Sequence, residues 1–185
     1  MNQVPIAGGT TTQLADDDGF GMGGLALDGS TIYFGAPSGL FRTTLSGGSK
    51  TMVASFIGST ETFTTVSPIA LRGSSVYAGL TMTDDELPNE AGSYCIAKAP
   101  LNGSASADAP CLVNGIGTIL DVKADDSFVY FTDGYEVKKV PATGGTAVIL
   151  AGDQSATNLA IDGQYVYWSN AGTGKGDGSI LRIAK

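Results

Sequence analysis

The sequence of 185 residues contains no histidine. This absence excludes Ser-His-Asp and Cys-His catalytic groups and imidazole-ligated zinc, and it removes the commonest general base at neutral pH. Positive charge is also scarce, because 10 Lys and Arg residues accompany 18 Asp and Glu residues and the formal net charge is -8. Phosphate backbones and anionic lipids repel so acidic a chain, so we expect no nucleic acid and no membrane surface among its partners.

Long apolar segments are missing as well. No run of about 18 apolar residues occurs, so we expect no membrane insertion. The first residues, Met1–Pro5, carry neither a basic start nor an apolar stretch, so no signal peptide is expected within this sequence. What is abundant is glycine, at 27 residues, together with Ser and Thr. This composition is typical of many short strands joined by tight turns.

One sequence motif occurs four times. It consists of a short apolar run, a turn and an aromatic anchor, and the anchors are Tyr33, Tyr77, Tyr130 and Tyr167. The anchors lie on average about 45 residues apart, a length typical of propeller blades or solenoid units. The pattern therefore predicts a repeat architecture.

The third repeat shows how many strands each unit contains. Alternating apolar residues and Gly- or Asp-bearing turns predict four strands, at Leu120–Ala124, Phe128–Thr132, Glu136–Val140 and Ala147–Ala151. The sequence therefore predicts an all-β fold, a β-propeller of four four-stranded blades or half of a larger ring. Residues 1–185 would form one domain, with blades at about 16–55, 66–114, 118–152 and 156–185 plus 10–15.

The fourth repeat breaks off after its third strand, Ile180–Lys185, and a matching fourth strand, Thr10–Ala15, occurs at the start of the chain. We expect this N-terminal strand to complete the last blade, because closure removes an open sheet edge. A rival arrangement is a homo-oligomer in which two chains form an eight-bladed ring, each N-terminal strand completing the other chain's last blade.

Basic residues recur at one position of the third strand in every repeat. They are Arg42, Lys98, Lys139 and Arg182. Such a column could line a central channel or bind an anion. The alternative, which we favour, is that the side-chain stems pack between blades while the charged groups reach solvent or turn aspartates.

The last repeat resembles a known type. Its second strand, Tyr167-Trp168-Ser169-Asn170, followed by Ile180-Leu181-Arg182, is similar to a YWTD-type repeat. The turn Pro141-Ala142-Thr143-Gly144-Gly145 resembles the hairpins of bacterial extracytoplasmic β-propeller repeat proteins. The resemblance implies a propeller fold and a role in binding, and it transfers no catalytic residues.

The two cysteines, Cys95 and Cys111, occupy mirrored positions on a hairpin centred near Gly103. We favour a disulfide that joins the third and fourth strands of blade 2 over a redox or metal-binding pair. A disulfide would indicate an oxidising compartment, so the expected location is extracellular or periplasmic.

Two long connections carry the candidate binding residues. The connection in blade 2 contains four carboxylates, Asp84, Asp85, Glu86 and Glu90, which could bind Ca²⁺ or form a solvated acidic loop. The connection in blade 4 contains Asn170, Lys175 and Asp177. Both connections follow a second strand, so they would border a cleft on one face, suited to a cationic or polyhydroxylated ligand.

These patterns leave three classes of function open. The leading hypothesis is a non-enzymatic binding or scaffold module that engages a protein or glycan through loops on the propeller face. The alternatives are a carboxylate-based, Ca²⁺-dependent hydrolase or lyase and a structural protein that assembles into a surface layer or filament. No cofactor other than calcium is expected, and no catalytic residue can be assigned.

Overall fold

A computed structural model describes residues 1–16, 22–36, 39–55, 63–83, 93–103, 109–114 and 116–185. Over these ranges the chain forms seventeen β-strands in five antiparallel sheets. The described residues contain no helix long and apolar enough to cross a membrane. The all-β propeller architecture predicted from the sequence is confirmed, with each repeat forming one sheet.

The strands follow one another within each sheet in chain order. The N-terminal hairpin contains β1 (Asn2–Gln3) and β2 (Thr12–Gln13). Sheet 1 contains β3 (Gly23–Asp28), β4 (Thr31–Ala36), β5 (Gly39–Thr44) and β6 (Thr51–Ser55). Sheet 2 contains β7 (Phe63–Arg72), β8 (Ser75–Thr83), β9 (Ser93–Pro100) and β10 (Cys111–Asn114). Sheet 3 contains β11 (Asp121–Ala124), β12 (Phe128–Thr132), β13 (Val137–Pro141) and β14 (Val148–Ala151). Sheet 4 contains β15 (Ala156–Ile161), β16 (Tyr165–Asn170) and β17 (Ser179–Ala184).

The repeated sequence motif forms the first two strands of sheets 1 to 4. The turn between them needs a left-handed residue in sheets 1 and 2, where Gly29 and Gly73 have φ angles of 56° and 55°. The second strand then places the anchor tyrosine opposite the basic residue of the third strand, as for Tyr33 and Arg42 or Tyr130 and Lys139. The same register recurs in sheets 2 and 4.

The sheets pack face to face in chain order, with a hydrophobic cluster between each neighbouring pair. Between sheets 2 and 3, for example, Tyr77 packs with Val129 and Phe131. The second strand of each sheet therefore serves two interfaces, because its side chains alternate between the preceding and the following sheet. Gly35 permits the closest approach, since a Cβ there would overlap the Val66 carbonyl oxygen of sheet 2.

The predicted closure by the N-terminal strand is not formed. Residues Thr12–Gln13 pair with Asn2–Gln3 and not with Ser179–Ala184, and among the described residues sheet 4 has three strands in place of the four predicted. The reason is local, because residues 1–15 fold on themselves. Gly8 donates its N–H to the Pro5 carbonyl at 2.8 Å, as Gly144 does to Pro141 in the turn between β13 and β14.

The N-terminal hairpin covers part of sheet 1. Leu14 and Ala15 pack with Ile32, Phe34 and Phe41 on the face of sheet 1 that points away from sheet 2. A fourth strand occupies the corresponding place at the internal interfaces, where Leu112 of β10 packs against sheet 3 and Leu150 of β14 against sheet 4. The hairpin thus substitutes for the outer part of a preceding sheet.

The disulfide predicted from the sequence is present in sheet 2. Cys95 in β9 is bonded to Cys111 in β10, and their Cα atoms lie 5.8 Å apart. The two residues are not directly opposite, because Cys95 faces Asn114 and Cys111 faces Ala97 across an irregularity in the ladder. The side chains reach each other diagonally, an offset that mirrored sequence positions do not reveal.

Candidate functional site

The recurring basic column binds the neighbouring sheet. Arg42 Nη1 donates to the Leu101 carbonyl of sheet 2 at 3.1 Å, and Lys98 Nζ donates to the Ala142 carbonyl of sheet 3 at 3.0 Å. The stems pack between blades as expected, and these two charged groups, which are partly exposed, bind backbone carbonyls and not turn aspartates. The column is therefore a structural element and forms no anion site at these positions.

The two other members of the column lie over aromatic rings. Lys139 Nζ is 4.6 Å from the centre of the Phe128 ring, and the Arg182 guanidinium is 4.4 Å from that of Tyr165. A cation over a ring face is stabilised by roughly 0.5–2 kcal/mol, according to its desolvation. These contacts support the same structural assignment.

A turn aspartate binds the anchor tyrosine in sheets 3 and 4. The Tyr130 hydroxyl donates to Asp125 Oδ2 at 3.0 Å, and the Tyr167 hydroxyl donates to Asp162 Oδ2 at 2.7 Å. In each case the aspartate precedes the tyrosine by five residues, and its other carboxylate oxygen accepts backbone N–H groups of the turn. The sequence carries this signal, because both aspartates stand at the same position of the repeat.

These hydrogen bonds determine the protonation of both carboxylates. Burial by itself would raise the pKa of Asp125, but donors from Lys185, the backbone and Tyr130 outweigh burial and lower this pKa to about 2. For Asp162, backbone N–H of Gln164 and the Tyr167 hydroxyl lower the pKa to about 2. Both groups stay ionised well below the pH at which free carboxylates take up protons.

We expect the turn aspartates to make the protein sensitive to acid. A carboxyl group has a pKa of about 3.9 in an unfolded chain, so a folded pKa of about 2 contributes stability above about pH 4 that is lost as the pH falls towards 2. The difference in free energy of unfolding between the wild type and Asp125→Asn should be constant above about pH 5 and shrink in that window. Urea titrations at several pH values measure it.

The control for this test is Asp28→Asn at the equivalent turn of sheet 1. There the Tyr33 hydroxyl donates to the Leu101 carbonyl and not to the aspartate, so the substitution removes no tyrosine–carboxylate hydrogen bond and should lower the free energy of unfolding less than Asp125→Asn does. An unchanged acid profile for Asp125→Asn would contradict the assignment.

A polar cavity of about 470 Å³ lies beside these turns. It is bordered by Arg72, Asp125, Asp126, Asp162 and Lys185, among others. Each of its three carboxylates accepts hydrogen bonds from the protein: Asp126 from Arg72, Asp125 from Lys185 and Asp162 from its own turn. The cavity is therefore lined by charged groups that already have protein partners.

The opposite edge of sheets 3 and 4, where β12 and β16 end, has a different character. We call it the loop edge and define it by Leu120, Tyr135, Gln154 and Asn170. Gln154 connects the two sheets, because its N–H donates to the Tyr135 carbonyl at 2.8 Å and its Oε1 accepts from Asn170 Nδ2 and Trp168 Nε1, each at 3.0 Å.

Apolar and aromatic groups are exposed at the loop edge. Tyr135 is 78% exposed and Leu120 is 44% exposed, and both flank the turn of Asp133 and Gly134. Asp133 accepts the N–H groups of Tyr135 and Glu136 at 2.9 and 2.8 Å and binds Lys138 at 2.7 Å. The turn that presents Tyr135 is therefore held by a network of hydrogen bonds.

Polar groups of the first strands lie next to this edge. Asp121 joins sheets 3 and 4, since its Oδ2 accepts the Leu159 N–H at 2.7 Å while its Oδ1 binds Lys123 Nζ at 2.6 Å. On sheet 4, the Thr157 and Ser169 hydroxyl groups lie 3.1 Å apart, and Asn158 Nδ2 donates to Thr157 at 3.1 Å. Exposed aromatic and apolar side chains thus adjoin hydroxyl, amide and charged groups.

The candidate site residues predicted from the sequence have four different outcomes. The four carboxylates Asp84, Asp85, Glu86 and Glu90 lie outside the described residues. Asn170 belongs to the loop edge, where its Oδ1 is buried and accepts no hydrogen bond from a described residue. Lys175 is exposed.

Asp177 is occupied within its own loop, where it accepts the N–H and the hydroxyl of Thr173 at 2.7 and 2.8 Å. These bonds lower its pKa. Within the described ranges no group of three or more acidic or cysteine side chains is placed to hold a metal ion.

This chain is similar to known proteins in its structure and not in its sequence. No family model matches the sequence, and no curated protein matches it. Solved structures do match. BamB from Moraxella catarrhalis aligns over 88% of this chain and 44% of its own, with a TM-score of 0.53 and 12% identity. The calcium-binding protein regucalcin from Agrobacterium tumefaciens strain C58 aligns over 94% of this chain and 59% of its own, with a TM-score of 0.61 and 18% identity.

The fold is that of a β-propeller. The chain spans about half the length of the propellers that it matches, 44% and 59% respectively. At these identities the likeness concerns the fold alone, because propellers with one fold carry different sites. Sequence reasoning missed Leu120, Tyr135 and Gln154, although an aromatic residue directly after Asp133-Gly134 was a visible signal of an exposed turn residue.

Proposed function

We propose that this propeller is a non-enzymatic binding or scaffold module, and that it engages a protein or a glycan through the loop edge. The observation that carries the proposal is Tyr135, which is 78% exposed on a turn fixed by Asp133 and Gln154. An exposed aromatic residue held by rigid supports loses little entropy on binding, and such residues are enriched where proteins meet ligands.

The chemistry of the loop edge supports both ligand classes. The Tyr135 ring could stack on a sugar ring or pack in a pocket of a protein partner, with Leu120 adding apolar area. Asn158 and the hydroxyl groups of Thr157 and Ser169 supply donors and acceptors that match a polyhydroxylated ligand. Of the residues expected to border the predicted cleft, Asn170 belongs to the loop edge and is part of this proposal.

A binding role agrees with how this chain uses its charged groups. The turn carboxylates accept hydrogen bonds from tyrosines and backbone, and the basic column binds carbonyls of the next sheet or covers aromatic rings. A calcium-dependent activity would depend on Asp84–Glu90.

An extracellular or periplasmic location belongs to the same proposal and is supported by the disulfide. Kinship with YWTD-type repeats also belongs to it, supported by Tyr167-Trp168 on β16.

The single tryptophan provides a specific test. Trp168 donates its indole N–H to Gln154 of the loop edge, so its one indole ¹H–¹⁵N resonance reports on ligands bound there. We expect a member of an oligosaccharide array or of a peptide library to bind and to shift this resonance. Tyr135→Ser should then weaken the affinity at least about fivefold, because truncation of a central aromatic contact costs about 1 kcal/mol or more.

The matched control is Ile149→Ser. Ile149 is also exposed, but it lies on β14 at the outer edge of sheet 3. The control should retain the affinity of the wild type. Equal affinity for wild type and Tyr135→Ser would contradict the assignment of the loop edge as the binding surface.

A further inference from the structure

The face of sheet 1 that points away from sheet 2 is only partly covered. Leu25 on β3 is 60% exposed, whereas the residues at the same repeat position in the other sheets, Ile69, Val122 and Leu159, are 8%, 0% and 5% exposed. Leu27, two residues further on the same face, is also exposed. The N-terminal hairpin covers Ile32 and Phe34 of this face but leaves its first strand open.

The face of sheet 4 that points away from sheet 3 is open in a complementary way. The anchor tyrosines of sheets 1, 2 and 3 are buried, but Tyr167 at the same position of sheet 4 is partly exposed. Arg182 and Ile180 on the same face of β17 are exposed. β17 also has a free edge, since sheet 4 contains no fourth strand among the described residues.

These two faces match the two halves of every internal interface. At those interfaces the anchor tyrosine of one sheet packs on the first and second strands of the next, as Tyr77 does with Val122 and Val129. Tyr130 packs in the same way with Leu159 and Val166. The open face of sheet 4 presents the tyrosine half, and the open face of sheet 1 presents the half that receives it.

We propose that a second copy of this chain covers both faces, head to tail. Sheet 4 of each copy packs on sheet 1 of the other, and the two chains close a ring of eight sheets. The contact repeats the three interfaces already present within the chain, so its residue types and spacing are those that pack there. Two identical contacts related by a two-fold axis leave no open face, which is why the assembly stops at two copies.

The position of β2 supports this arrangement. The Leu14 carbonyl oxygen lies next to Gly47, just as the Val53 carbonyl oxygen lies next to Gly103 and that of Leu112 next to Gly144. β2 therefore lies on sheet 1 where the fourth strand of a preceding sheet lies. Strand β17 of the second copy takes the place beside β2 that β1 occupies in the single chain. In this exchange β17, which has six residues, replaces β1, which has two residues that are both exposed.

The internal sheets set the register of this new pairing. Arg42 is opposite Thr51 in sheet 1, and Lys139 is opposite Val148 in sheet 3. The same register places Arg182 of one copy opposite Thr12 of the other. Arg182 then donates to the Leu45 carbonyl of the second copy, as Arg42 donates to the Leu101 carbonyl within the chain.

Sedimentation velocity and light scattering test the assembly. We expect the wild type to have the mass of two chains at micromolar concentration. Ile180→Glu and Leu25→Glu, each at an exposed position of the single chain, should both raise the dimer dissociation constant at least about tenfold, because each buries an unpaired charge. Ile149→Glu on sheet 3 is the matched control and should leave the dimer intact. The proposal would be overturned if the wild type kept the mass of one chain even at about 100-fold higher concentration. That result would indicate that further blades or another protein cover these faces.

Mixing the variants tests the head-to-tail geometry. A mixture of Ile180→Glu and Leu25→Glu chains keeps one unaltered interface, so dimers should reappear in the mixture but in neither variant alone. A mixture of Thr12→Cys and Arg182→Cys chains should form a covalent dimer on oxidation, seen on a non-reducing gel. No covalent dimer, or a Leu25→Glu variant that dimerises like the wild type, would contradict head-to-tail pairing.

Discussion

Replacing Tyr130 by alanine should lower the free energy of unfolding far more than the loss of any exposed side chain. Tyr130 is fully buried between sheets 3 and 4, where it packs with Val166 and Trp168, and its hydroxyl donates to Asp125. Removing a buried aromatic side chain costs about 3–5 kcal/mol, because transfer free energy is lost and a cavity remains. We expect a loss of that size in the free energy of unfolding, measured by urea titration.

The repeat supplies a matched control. Tyr167 occupies the same position in sheet 4 and makes the same hydrogen bond, to Asp162, but its side chain is partly exposed. Tyr167→Ala should lower the free energy of unfolding much less than Tyr130→Ala does, at a concentration where the chain is monomeric. Tyr130→Phe separates the hydroxyl from the ring and should cost about 1 kcal/mol. Equal losses for Tyr130→Ala and Tyr167→Ala would show that packing between sheets 3 and 4 does not determine stability.

Removal of the disulfide is the second large effect. Cys95 and Cys111 are separated by 16 positions, and a cross-link closing a loop of this size stabilises a protein by about 3 kcal/mol through the entropy of the unfolded chain. We expect the double variant Cys95→Ala and Cys111→Ala to lose roughly that amount. Alanine is chosen at position 95 because Cys95 is buried and a serine hydroxyl would have to find a partner there.

Thiol titration provides the control for the disulfide. Under denaturing and non-reducing conditions the wild type should react with no thiol reagent, because the structure contains no free cysteine. After reduction the wild type should match the double variant in stability. Two reactive thiols before reduction would contradict both the disulfide and the argument for an oxidising compartment.

Most of the fold could be read from the sequence. The Tyr anchors, the glycine turns and the alternation of apolar residues are local signals, and they located the strands of sheet 3 to within one residue of β11–β14. Local signals suffice there because strand and turn preferences depend on neighbouring residues. The disulfide followed from the same local hairpin, although its diagonal geometry did not.

The pairing of the N-terminal strand required the tertiary structure. The segment Thr10–Ala15 has the pattern of a fourth strand and occupies the place of one on sheet 1, but the pattern does not say which edge it meets. The turn Pro5-Ile6-Ala7-Gly8-Gly9 repeats the motif at Pro141–Gly145, so β1 and β2 pair with each other. A nearby hairpin partner costs less loop entropy than a strand at the far end of the chain.

The sequence by itself determined the repeat, the strands and the acidic, histidine-free chemistry of this protein. Tertiary structure alone decided what each recurring side chain does. Arg42 and Lys98 are equivalent to Arg182 in sequence, but only the first two reach a carbonyl of a following sheet. Equivalent positions differ in burial because burial depends on which sheet lies alongside, and the loop edge exists only because sheets 3 and 4 bring Tyr135, Gln154 and Asn170 together.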